Sequence, residues 1–178
     1  CGRVGVCSGR TPAEGRSRSG LTRSEVIMAI EGGCFCGELR YAIESGEYLT
    51  ANCHCTMCRH ASGAPEVAWF SVPPGALRFV SGEPQRFKSS EHATRSFCPD
   101  CGTHLVTRRP GLPAVIVKVG TLDDPSVFGG PQMAIFTEDL QPFHLVPEGL
   151  PKFEKLPPRH VRRVPVSDVF WEDRKSVV

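Results

Sequence analysis

Seven cysteines between positions 34 and 101 fall into three tight groups: Cys34-Phe35-Cys36, Cys53-His54-Cys55-Thr56-Met57-Cys58 and Cys98-Pro99-Asp100-Cys101-Gly102. Thiols one or two residues apart form short chelate loops that cost little closure entropy, so they converge on one ion without strain. Disulfides more often join cysteines far apart in the chain, because near neighbours rarely reach S–S geometry. Seven is also odd, so full oxidation would strand one thiol. The chemistry this spacing points to is metal binding, at two centres.

The outer groups read as one closed site. Proline and the following turn in Cys98-Pro99-Asp100-Cys101 bring two thiolates together, and Gly102 supplies positive φ for backbone N–H groups to face sulfur. Cys34 and Cys36 follow Gly32-Gly33 and precede Gly37, so the backbone can wrap an ion closely. Two thiolates from each group complete a structural zinc site. The middle group differs. Cys53, Cys55 and Cys58 give three ligands within six residues and leave a fourth position, the arrangement of a catalytic zinc. The competing reading closes that shell with His54 or His60. His54, between two ligands, would point its ring away from their ion, and His60 would have to fold back over a helical turn. An iron–sulfur cluster would need a fourth cysteine.

The elements that must hold these groups read as β. Leu39, Tyr41 and Ile43 alternate with polar or small residues, and Glu66 to Val72 predicts a strand with Val67 and Trp69 on one face and Phe70 on the other. Pro73-Pro74-Gly75 is a turn, Leu77 and Phe79 alternate beyond it, and Gln85–Lys88 with Ala93–Phe97 bracket a turn at 89–92. His104 to Arg108 and Ala114 to Val119 are further strands. Residues 121–165, punctuated by eight prolines, predict loops and short edge strands. The one helical piece is a turn or two near Cys55–His60. With 18 glycines and 16 prolines, the 178-residue chain reads as one all-β domain of short antiparallel strands with little helix.

Residues 1–27 are Gly/Ser/Arg-rich, with five arginines against Glu14 and Glu25, and predict a disordered basic tail. The chain opens on cysteine and its first methionine is Met28, which admits the reading that this tail lies upstream of the working protein. The zinc domain then spans 28–160, with a C-terminal extension at 161–178. A net charge of +2 demands no acidic partner. No apolar run reaches the ~18 residues of a membrane span. Many cysteines without a secretory h-region point to a reducing, cytoplasmic setting. There is no phosphate loop, dinucleotide fingerprint or Ser–His–Asp arrangement.

Three segments carry a resemblance. Gly32-Gly-Cys-Phe-Cys-Gly-Glu-Leu-Arg-Tyr41, Cys53-His-Cys-Thr-Met-Cys-Arg59 and Phe97-Cys-Pro-Asp-Cys-Gly102 resemble the glutathione-dependent formaldehyde-activating enzyme family, whose superfamily also contains centromere protein V. Gly120-Thr-Leu-Asp-Asp124 and Gly149-Leu-Pro-Lys-Phe153 echo it further, so that the resemblance spans about residues 29–158. It implies a β-tent-like fold stapled by a structural zinc on Cys34, Cys36, Cys98 and Cys101, with a second, catalytic zinc on Cys53, Cys55 and Cys58.

The expected activity is that of a zinc-dependent carbon–sulfur lyase or synthase. A small-molecule thiol such as glutathione binds the open zinc as a thiolate and adds to formaldehyde or a related electrophile, a detoxification reaction. Arg59 could hold a substrate carboxylate by a bidentate bond, or simply pair with a surface acid. His104 and His92 are candidate proton shuttles, against a structural role for each. Asn52 could orient the zinc loop. Trp69, Phe70 and Phe143 read as core or pocket wall, and Asp123-Asp124 before Pro125 as turn chemistry. The alternative is a zinc-stabilised binding module, both metals structural, with a protein or nucleic-acid partner. Near-neutral core charge and the lack of a clustered Lys/Arg face count against nucleic acid.

Overall fold

Short apolar segments separated by glycine and proline form eleven strands and one α-helix in the computed structural model, which describes residues 29–44, 46 and 48–158. The basic segment 1–27 and the extension 161–178 lie outside the described residues. The strands are β1 (Ile30–Gly33), β2 (Arg40–Ile43), β3 (Leu49–Cys53), β4 (Val67–Val72), β5 (Leu77–Ser81), β6 (Gln85–Ser90), β7 (Ala93–Phe97), β8 (His104–Arg108), β9 (Val115–Lys118), β10 (Ala134–Ile135) and β11 (Lys152–Phe153). The helix α1 spans Thr56–Ser62. The class is all-β, as the alternating patterns predict.

Strands β1, β2 and β5 form a small sheet in the order β1-β2-β5. The others form a large sheet in the order β11-β10-β3-β4-β9-β8-β7-β6. Most pairings are antiparallel, but β10 runs parallel to both β3 and β11, a departure from the all-antiparallel expectation. The long connections around β10 explain it, because parallel neighbours need a crossover rather than a tight turn.

Strand β4 shows how alternation builds the interior. Phe70 and Val72 pack into one core with Tyr41, Ile43, Val115 and Val117. Val67 and Trp69 face a second core with Ala51, Cys53, Ile116 and Ile135. Each such buried side chain contributes roughly 2 kcal/mol relative to exposure. Strand β9 is buried on both faces along its whole length, Lys118 included.

Two features tie the small sheet to the large one. The first is the strap after β9: Tyr41 Oη meets Thr121 Oγ1 at 2.8 Å, Asp123 N–H donates to Glu31 O at 3.1 Å, and the Arg40 guanidinium holds both Asp123 carboxylate oxygens. The second is the outer cysteine group.

Candidate metal centres

The loop after β1 and the turn between β7 and β8 bring Cys34, Cys36, Cys98 and Cys101 together, with all four sulfurs within 4.8 Å of one another. Cys34 and Cys36 sulfurs are 3.4 Å apart, and Cys36 and Cys98 sulfurs 3.7 Å. A tetrahedral zinc with bonds of about 2.3 Å places sulfurs about 3.8 Å apart, so the donor set fits that ion. All seven described cysteines are free thiols. Gly37 at φ 84° and Gly102 at φ 74° turn the backbone just beyond each cysteine pair, a conformation that side chains with Cβ rarely adopt. The Leu39 N–H then points at Cys34 Sγ, at 3.2 Å. Thr103 joins the two loops: its Oγ1 accepts from Phe35 N–H at 3.1 Å and contacts Cys101 Sγ at 3.2 Å. The Thr103 side chain and backbone hydrogen bonds draw the Cys101 thiol down to about 5.

The middle group sits where β3 ends and α1 begins. Cys53 closes the strand, Cys55 caps the helix by accepting from Cys58 N–H at 3.3 Å, and Cys58 lies in the first turn. Asp139 Oδ2 accepts the Thr56 N–H at 2.9 Å, anchoring the same helix end. The three sulfurs lie within 4.8 Å of one another, and no other described His, Cys, Asp or Glu joins them. His60 is exposed on α1. His54 lies on the other side of the backbone, because successive side chains of an extended segment alternate.

Two buried cations face this group. Lys118, on β9, and Arg95, on β7, are each only 6% exposed. Hydrogen bonds from Cys53 and Cys55, reinforced by the charges of Lys118 and Arg95, pull the Cys58 thiol down to about 2. Hydrogen-bond contacts with Cys55 and Cys58, together with burial, push the Cys53 thiol up. Burial lowers Lys118, and the Cys58 charge partly restores it. Three thiolates beside buried cations suit a soft divalent ion.

His104, at the start of β8, shares this neighbourhood. Its Nε2 lies 3.2 Å from Val106 O and 3.1 Å from Thr107 Oγ1, while Nδ1 is buried with no partner. Burial, then the charges of Lys118 and Arg95, hold it down at about 4, so the ring is neutral at pH 7. Two clefts meet at this histidine. One, of about 400 Å³, is lined by Met57, His60, Phe87, Arg95 and His104. The other, of about 820 Å³, runs past Phe35, Glu66, Cys101, His104 and Lys118.

The remaining candidates separate clearly. Arg59 is half-buried on α1 with its Nε buried and unpartnered. His92 is exposed in the turn between β6 and β7. Asn52 Nδ2 donates to Glu66 Oε2 at 3.1 Å. Asp124 caps the turn at Pro125–Phe128 by accepting from Ser126 N–H, and Asp123 pairs with Arg40. Trp69 and Phe70 are core, whereas Phe143 is 73% exposed, contrary to expectation, because it lies in the connection between β10 and β11 and not on a strand face. Sequence reasoning missed Lys118 and Arg95. The available signal was a lysine closing the apolar run Val115-Ile-Val-Lys118. It also missed His144, which the structure places beside His54 and Glu66.

Among solved structures, the chain is similar to a Rhodobacter sphaeroides protein determined by crystallography, at 25% identity over 57% of this chain and 97% of that one, with a TM-score of 0.47. No curated protein matches the chain. No helix among the described residues is long and apolar enough to cross a membrane. The family model described as glutathione-dependent formaldehyde-activating enzyme matches residues 29–139, a stretch that carries all seven clustered cysteines. The chain belongs to the glutathione-dependent formaldehyde-activating enzyme family.

Proposed function

We propose that the protein joins a glutathione-type thiol to formaldehyde, and cleaves the adduct in reverse, at the Cys53–Cys55–Cys58 group. The observation carrying this reading is a three-thiol group backed by two buried cations, Arg95 and Lys118, each of which lines one of the two neighbouring clefts. Zinc held by Cys53, Cys55 and Cys58 would supply Lewis acidity and keep a substrate thiol in its thiolate form.

The chain's own residues do the rest. Lys118 and Arg95 offset the negative charge that gathers where three cysteines and a substrate sulfur meet. As the sulfur lone pair forms the C–S bond, the carbonyl π pair moves onto oxygen, and that oxygen takes one proton. The thiol proton and the adduct's hydroxyl proton balance, and nothing is oxidised or reduced. Lys118, a buried ammonium with a lowered proton affinity, is placed to deliver that proton. Neutral His104 orders this pocket through Thr107. Arg59, its Nε unpaired, is the group to hold a substrate carboxylate. The four-cysteine group staples the two sheets and takes no part in the chemistry.

The test is Cys55→Ser in the full chain, assayed for glutathione-dependent formaldehyde consumption. Activity should vanish while one zinc equivalent remains on the four-cysteine group. Retained thiol-dependent turnover with zinc lost from the middle group would overturn the mechanism.

A further inference from the structure

A third cluster of metal-ligating side chains lies outside both cysteine groups. His54, Glu66 and His144 each present a ligand atom within 4.8 Å of the others. His144 Nε2 is 2.9 Å from Glu66 Oε2, and His54 Nε2 is 3.7 Å from the same oxygen. The two imidazoles meet edge to face, with centroids 5.3 Å apart.

An ion pair between His144 and Glu66 accounts for only part of this. It leaves His54, 1% exposed, with both ring nitrogens buried and unpartnered. A separation of 3.7 Å is too long for a hydrogen bond. Buried polar atoms in native proteins are nearly always satisfied, so an imidazole aimed at a carboxylate and a second imidazole points to a missing ligand. Four-coordinate zinc, with bonds of about 2.0–2.1 Å to nitrogen and oxygen, spaces its donors about 3.3 Å apart. The observed separations of 2.9 and 3.7 Å lie on either side of that value.

We propose that His54, Glu66 and His144 form a third metal site, binding a divalent ion of the zinc type. Two imidazoles and a carboxylate are a donor set for zinc, cobalt or nickel, whereas calcium and magnesium take oxygen ligands. Three protein ligands leave one position for water or a small anion. It faces solvent, since Glu66 and His144 side chains are 31% and 20% exposed and Glu66 lines the larger cleft. The frame is built from several elements. His54 N–H donates to Ile135 O at 3.0 Å, so β10 fixes the backbone beneath the ring. Asn52 Nδ2 grips the Glu66 oxygen at 3.1 Å, the kind of outer contact that orients a ligating carboxylate. His144 arrives on the connection from β10 to β11, its N–H bonded to Gln141 O at 2.9 Å. The alternation that turns Cys53 and Cys55 to one side of the chain turns His54 to this one.

The experiment titrates the reduced full chain with cobalt(II) alone, counting bound metal by equilibrium dialysis and following thiolate-to-cobalt charge-transfer absorption. Wild type should bind one equivalent more than His144→Ala, with the charge-transfer absorption of the cysteine groups unchanged. Glu66→Gln, which keeps an acceptor for Asn52, should lose the same equivalent. Asn52→Ala should weaken it about tenfold or more. Equal stoichiometry in wild type and His144→Ala would overturn the proposal and leave a plain ion pair. A loss of charge-transfer absorption in step with the lost equivalent would also overturn it, since the histidine would then act through the cysteines. Neither result bears on thiol turnover at Cys53, Cys55 and Cys58, so the two readings fail separately.

Discussion

Lys118 on β9 and Cys58 on α1 stabilise each other's charge: the ammonium lowers the thiol, and the thiolate raises the amine against its burial. A cation buried without such a partner would be strongly disfavoured. Lys118→Met keeps the length and removes the charge. We expect lower thermal stability, because the Cys58 thiolate loses its buried counter-charge, together with a loss of kcat/KM of at least about tenfold, corresponding to ~1.4 kcal/mol of transition-state stabilisation. Thermal unfolding and steady-state kinetics on one preparation check both halves. Unchanged kinetics would remove Lys118 from the reaction.

Cys36 separates metal binding from packing. It is the exposed member of its group, so replacing it by serine touches little of the core. An ordinary exposed substitution shifts stability by about 0.5 kcal/mol or less. Loss of a structural zinc ligand should cost on the order of 3 kcal/mol or more. Chemical unfolding of Cys36→Ser should show the larger figure, and a chelator should lower wild type by more than it lowers the variant. A variant as stable as wild type would mean that this group holds no structural metal.

His104 makes stability depend on pH in a defined window. Its folded value is about 4, below the ~6.5 of a free imidazole. Between these values the unfolded chain binds a proton that the folded chain refuses, so stability falls as pH drops from about 6.5 towards 4. With partial solvent screening the contribution is on the order of 2 kcal/mol. His104→Gln preserves an amide donor for Val106 O and should flatten this part of the profile relative to wild type. Parallel urea titrations at pH 4.5, 5.5 and 7 (roughly the lower end, middle and plateau of that window) measure the difference.

Gly32 tests the seam between the sheets. A Cβ there would collide with the Tyr41 hydroxyl and the Thr121 carbonyl. Tyr41 is fully buried and its hydroxyl is bonded to Thr121, so neither neighbour can yield cheaply. Gly32→Ala should destabilise by about 2 kcal/mol, in the range of overpacked cores, read as a shift in the urea midpoint.

How much of this was legible depended on whether the signal was local. The cysteine groups declare themselves by spacing, and strands such as His104–Arg108 coincide with their predicted ranges because alternation is a nearest-neighbour property. Gly37 and Gly102 adopt the positive φ that a knuckle needs, which two adjacent ligands foretell. The misses are non-local. His144 lies in a proline-punctuated connection that shows no period, and only the parallel placement of β10 beside β3 carries it to His54. Lys118 reads as the polar end of a strand, yet β9 sits between β4 and β8 and is covered on both faces, which buries even its last residue. Phe143 misled for the opposite reason: hydrophobicity alone says nothing of whether a residue stands on a face that packs.

The two cysteine groups also differ in when they come into being. Cys36 and Cys98 are 62 positions apart, whereas Cys53, Cys55 and Cys58 span six. A chain emerging from the ribosome at about 5–20 residues per second presents the whole three-thiol chelate seconds before Cys98 exists. The compact group can therefore capture an ion first, while Cys34 and Cys36 wait as half a ligand set. Their staple closes only after the β7–β8 turn has been made, so a metal bound there would be acquired later than one at the compact group and would seal a topology already chosen by strand pairing.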